Sequence, residues 1–283
     1  MKFNKHLLAA AIAACTATPA AAQSQWTGFY LGANARYGWN SASVATRPAY
    51  SDSGYFDRSS VAAITAAGDG SLKLNGFTGG LLAGYNFQHA NFVFGGEFDF
   101  NTEHANATRT SSRAYPCCAY SSFTLTQTAG TDRVLTLRGR VGYAHGRWMA
   151  FGTAGVARAK IKYGETFTDT QANARESAGQ SENKTGWVVG AGYEMALRGK
   201  WSFSAEFRHA RFGGISGTSR NLSITSSCLS PACLTGKTSV AGNDPLANRG
   251  NGPLAVIPIP VNGFTHTADL RMTSLRLGIN YRF

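Results

Sequence analysis

Gly28-Phe29-Tyr30-Leu31-Gly32-Ala33-Asn34-Ala35-Arg36-Tyr37-Gly38-Trp39 decides the fold. Phe29, Leu31, Ala33, Ala35, Tyr37 and Trp39 fall on one side of an extended chain, while Tyr30, Asn34, Arg36 and glycines fall on the other. A period of two belongs to a strand, because a helix would scatter these side chains around its axis. The stretch also has the length that a tilted strand needs to cross a bilayer.

Working outward, the pattern recurs in Leu74–Phe87, Phe92–Phe100, Arg133–His145, Trp148–Tyr163, Thr185–Leu197, Trp201–Phe212 and Ala268–Phe283. Three connections are short: Gln88–Asn91, Gly146-Arg147 and Arg198–Lys200. Four are long, at about residues 40–73, 101–132, 164–184 and 213–267. Short and long links alternate strictly. The pattern predicts an all-β chain, an eight-stranded antiparallel up-and-down transmembrane β-barrel with short periplasmic turns and long extracellular loops. Trp39, Phe87, Phe92, Trp148 and Trp201 sit at strand ends, where aromatic girdles meet the two interfaces.

The N-terminus predicts export. Lys2 and Lys5 precede the apolar run Leu7–Ala14, and Ala20-Ala21-Ala22 offers a cleavage site. Residues 1–22 are expected to be a signal peptide and residues 23–283 a single barrel domain. The competing reading is a lipid anchor on Cys15. The net charge of +12 would otherwise suggest nucleic acid. Export excludes that partner and directs the positive charge toward outer-membrane lipid and lipopolysaccharide.

Against the apolar faces alternate Glu97, Asp99, Glu194 and Glu206, with Arg138, Arg140, Arg158, Arg208 and Arg276. Charge facing lipid is costly near the midplane. These nine residues are therefore expected to form a charge network in the lumen. Eight strands enclose only enough space for side chains to fill. The expected function is a structural and surface-interaction barrel with a filled lumen, and the alternative is a narrow porin-type channel for small solutes.

Cys117, Cys118, Cys228 and Cys233 fall in the outer loops and are disulfide candidates in an oxidising compartment. Three pairings are open. Cys228 and Cys233 are close enough to close a small loop within the fourth connection, and a bond between the neighbours Cys117 and Cys118 is expected to be strained, so the alternative for that pair is to reach across to Cys228 and Cys233. No catalytic, cofactor or metal site is legible. His209 and His145 on the wall lack a partner serine, so a lipid-modifying enzyme is disfavoured. His104, Tyr115, Tyr120 and His266 are read as loop residues in preference to a haem site. The apolar stretch Pro253–Val261 is expected to fold back over the barrel mouth or to lean on the lipid edge, in preference to contacting a partner.

Three motifs carry a resemblance. Trp26-Thr27-Gly28-Phe29-Tyr30-Leu31-Gly32, Gly186-Trp187-Val188-Val189-Gly190-Ala191-Gly192-Tyr193-Glu194 and the ending Ser274–Phe283 are similar to the first, sixth and last strands of the small porin-like immunogenic outer-membrane proteins of alphaproteobacterial type. The resemblance covers the strands and leaves out the loops. It implies an outer-membrane location, an envelope or host-facing role through the loops, and an assembly signal at Tyr281 and Phe283 read by the barrel-assembly machinery.

Overall fold

In the computed structural model the described residues are 25–226, without 119, and 255–283. The expected signal peptide, Cys15, Cys228 and Cys233 lie outside them. The elements are β1 (Gly28–Pro48), α1 (Arg58–Gly68), β2 (Gly70–His89), β3 (Phe92–Ala114), β4 (Ser122–His145), β5 (Trp148–Asp169), β6 (Arg175–Ala196), β7 (Trp201–Phe212), β8 (Ile215–Ser219), β9 (Ser223–Ser226), β10 (Ala255–Pro258) and β11 (Phe264–Arg282).

Strands β1 to β7 pair antiparallel in chain order, β7 pairs with β11, and β11 returns to β1. That closes a ring of eight long strands. β8 prolongs the line of β7 beside β11, and the β9–β10 pair joins β6 at one residue. Around the lower part of the barrel closure pairs every one of these strands on both sides, whereas loopward of the Gly79–Thr102 pair β3 is laddered only to β4 and β2 only to β1. Two of the tight turns place glycine in the left-handed region, Gly146 (φ 56°) and Gly199 (φ 68°). A side chain there would be strained.

The strands run farther than the alternation suggested. β4 has 24 residues, which at roughly 3.4 Å each spans about 80 Å. The hydrocarbon core needs only about 30 Å. Residues 40–48, 101–114, 122–132, 164–169 and 175–184, expected as loop, are paired strand. Past the apolar band the outward face no longer meets lipid, so Thr124, Thr126 and Thr128 stand outside while Phe123, Leu125 and Phe167 point inward, and the outward apolar signal fades while the backbone ladder continues. Two irregularities in β3 and β4, at Thr102/Ala105 and Thr131/Val134, mark the change.

Sequence reading also missed α1. Asp57 caps it by accepting from Ser59 N at 2.7 Å. Val61, Ile64 and Ala67 recur at helical spacing, and that face turns into the barrel mouth, where Ile64 is fully buried.

The lumen is layered. At the turn end Trp26, Val93, Met149 and Phe151 pack together. Next come charged side chains, then an aliphatic layer that includes Leu72, Leu74, Val134, Ile161, Leu270 and Met272. A second polar layer follows. The mouth is closed by Phe56, Ile64, Phe123, Phe167, Phe264 and their neighbours. Ile257 and Ile259 of the Pro-rich stretch belong to this plug.

Candidate functional site

Alternation aims the charges and closure brings them together. Glu97 and Asp99 point inward from β3, Arg138 and Arg140 from β4, Glu194 from β6, Glu206 and Arg208 from β7, and Arg276 from β11. Arg138 ion-pairs with Glu97, with Asp99 at 3.0 Å and with Glu206 at 2.6 Å. Arg276 reaches Glu97 at 3.0 Å and Glu206 at 2.8 Å. Arg208 meets Asp99 at 2.9 Å and Glu206 at 2.8 Å. Arg140 pairs with Glu194 and lies 3.8 Å over the Phe151 ring.

Four arginines face four carboxylates, so the layer is close to neutral. Leftover acceptor positions are filled by hydroxyls: Tyr30 donates to Glu97 at 2.9 Å, Thr136 to Asp99 at 2.8 Å and Thr153 to Glu206 at 2.8 Å. Ser202 and Asn280 serve Glu194. Sequence reading missed a neighbouring pair, Arg36–Glu103, supported by Asn40. Arg36 alternated inward as expected, but Glu103 lay in a stretch taken for loop.

Arg158 is not in this layer. It is exposed on the outer wall, and β5 runs in the opposite phase from the one expected. Met149, Phe151, Ala157, Ala159 and Ile161 point inward. The outward residues Ala150, Gly152, Ala154 and Val156 are small, so the larger apolar side chains identified the wrong face.

The cysteine expectation is corrected as well. Cys117 and Cys118 are bonded to each other. They lie in the β3–β4 tip, where the chain reverses and Tyr120 takes φ 68°. The neighbours therefore sit in a turn and not along an extended run. Tyr120 is fully exposed, while Tyr115 and His266 are buried in the barrel. His209 lies on the outer wall beside Trp187, its Nδ1 2.9 Å from Thr273 Oγ1. At the last strand Phe283 is exposed, with ring centroids 5.2 Å from Tyr281 and 5.8 Å from Phe29.

The second polar layer lies loopward of the apolar band. Asp169 accepts from Tyr55 at 2.6 Å, from Tyr115 at 3.1 Å and from the backbone of Ala172 and Ala174. Burial and the Asp169 charge hold both phenols far above their ordinary pKa. Glu165, Glu176 and His266 share the layer, each at most 3% exposed. Burial lowers the His266 pKa, but the facing Glu165 and Glu176 carboxylates outweigh it and raise it to about 9.

Outside, a basic band follows the loop-end aromatics Trp39 and Trp187. Lys73, Arg133, Arg158, Arg211 and Arg271 are all exposed there. Lys73 and Arg271 flank Ser41 of β1, and Arg271 pairs with Arg211 across the next strand.

Residues 7–226 match the model of the outer membrane protein beta-barrel domain. The chain is 32% identical to the 31 kDa outer-membrane immunogenic protein of Brucella melitensis, over 66% of this chain and 72% of the relative. It is 28% identical to the 25 kDa outer-membrane immunogenic protein of Brucella abortus, over 68% of each. Among solved structures, the outer membrane protein OprG of Pseudomonas aeruginosa aligns with 92% of this chain and 99% of its own at 12% identity, with a TM-score of 0.40.

Proposed function

This chain belongs to the outer membrane protein beta-barrel domain family, and we propose that it is a non-enzymatic envelope barrel whose lumen is filled and whose extended outer strands and tips form its working surface. Its place is the outer membrane, as for its immunogenic relatives. The observation that carries the reading is the double closure of the lumen. Arg138 joins Glu97, Asp99 and Glu206 at mid-height, and Phe56, Ile64, Phe167 and Phe264 close the mouth. A solute would have to displace both layers. Such a network is not an obvious source of net stability, because desolvation offsets much of the attraction. Its clear consequence is occupancy of the channel.

The basic band supports lipopolysaccharide as the lipid partner. Its cations stand immediately beyond the apolar wall, at the height where an acidic headgroup would lie, and each contact of this kind is worth about 1 kcal/mol. Tyr281 and Phe283 are the residues we assign to the assembly machinery. The outer strands and tips are the surface offered to host or envelope proteins.

Conductance of the refolded barrel in a planar bilayer tests the reading. Silence from protein that shows a folded shift on an unboiled gel is the expected result. Stable stepwise currents would overturn the filled lumen and make the protein a narrow porin.

A further inference from the structure

Among the described residues, the buried carboxylates of this barrel differ in how their charge is compensated. Glu97, Asp99, Glu103, Glu194 and Glu206 each have an arginine within ion-pair distance. Asp169 has none among the described residues but accepts four hydrogen bonds. Among the described residues, the only cationic partner of Glu165 on β5 and Glu176 on β6 is His266, reaching across from β11. Its Nδ1 lies 3.2 Å from Glu165 and its Nε2 3.6 Å from Glu176. The aliphatic layer lies below the three residues and the aromatic plug above them.

Three atoms there lack a hydrogen-bond partner: Glu165 Oε1, Glu176 Oε2 and His266 Nδ1. One ligand atom from each of the three residues can be chosen so that all lie within 4.8 Å of one another. Two buried carboxylates and one imidazole leave a deficit of positive charge. A proton on His266 would offset one negative charge, whereas a divalent cation would offset both. The surroundings suit coordination. Thr46 and Tyr163 donate to Glu165, and Ser219 donates to Glu176. Hydrogen bonds of this kind fix ligating carboxylates in metal sites.

We propose that Glu165, Glu176 and His266 bind a divalent transition-metal ion of the zinc class, which ties β5 and β6 to β11 beneath the mouth plug. One imidazole and two carboxylates form a borderline donor set that leaves a coordination position open for water. Because apolar layers seal the site, the ion would enter during folding or when the plug opens.

The test refolds the mature barrel with Zn2+, removes loose metal by gel filtration, and measures zinc per chain. The Glu165→Gln/Glu176→Gln variant, which keeps side-chain shape, is treated identically, and the unboiled gel shift verifies folding of both. The expected result is one zinc per wild-type barrel, its loss in the variant, and a higher temperature for loss of the gel shift in zinc-loaded wild type than in chelator-treated protein. Equal zinc in folded wild type and variant would overturn the proposal. If the variant does not fold, Co2+-loaded wild type decides. Visible bands of a low-coordinate, nitrogen-ligated ion support the site, and the spectrum of aqueous Co2+ overturns it.

Discussion

Arg138 Nη1 lies 2.6 Å from Glu206 Oε1, although the two residues are 68 positions apart and sit on strands that do not pair. β4 borders β3 and β5, and β7 borders β6 and β11. The contact therefore crosses the lumen and exists only because the sheet closes.

Removing one partner of this layer should be costly. Arg138→Met leaves Glu97, Asp99 and Glu206 short of a cation, and breaking a buried pair costs about 3–5 kcal/mol. Urea unfolding in lipid, read by the unboiled gel shift, should show that loss. Arg138→Met/Glu206→Gln should recover part of it. A single variant as stable as wild type would mean that water hydrates the lumen charges.

The plug makes a separate prediction. Phe264 is fully buried, with ring centroids 5.5 Å from Phe167 and 5.7 Å from Phe56. Phe264→Ala should destabilise by about 3–5 kcal/mol. It should also expose the α1 segment to external protease while the charge layer keeps the bilayer electrically silent. Unchanged protease resistance would show that the mouth does not depend on this ring.

Gly84 is required by the charge layer. A Cβ there would collide with the Tyr30 hydroxyl, which donates to Glu97. Gly84→Val should displace that ring and cost about 1–3 kcal/mol by overpacking, seen as a lower urea midpoint than in Gly76→Val. A Cβ at Gly76 meets open space.

Reversing charge in the basic band should weaken contact with lipopolysaccharide. Lys73→Glu/Arg211→Glu/Arg271→Glu should retain less lipopolysaccharide on purification than wild type. Wild-type retention should fall as salt rises, because exposed charges are screened. Equal retention by variant and wild type at low salt would remove the band from lipid recognition.

The last residue separates assembly from stability. Phe283 is exposed and packs edgewise on Tyr281. Phe283→Ala should refold in detergent like wild type yet accumulate poorly in cell envelopes, measured as gel-shifted protein in the membrane fraction. Normal accumulation would show that the terminal ring is not needed for assembly.

The apolar band was the most legible part of the chain. Phe29, Leu31, Leu81, Phe98, Leu137 and Leu277 must meet lipid, so their alternation wrote strand number and orientation into the sequence. Legibility failed where the solvent changed. Residues 101–132 were read as loop because Thr, Ser and Asn satisfy strands with water outside. Arg158 was misplaced because β5 carries its larger side chains inward and small ones toward lipid. Helix α1 went unread because its apolar spacing spans only three turns and lay inside a presumed loop.

Sequence alone determined that the chain forms eight antiparallel strands with charges on the face away from lipid, because the cost of burying charge in hydrocarbon acts on each residue separately. Only the tertiary structure decided which charge meets which. Whether Arg138 finds Glu206, or Glu165 and Glu176 are left with a single histidine, depends on strand register and on closure of the ring. Those bring together positions that no local spacing relates.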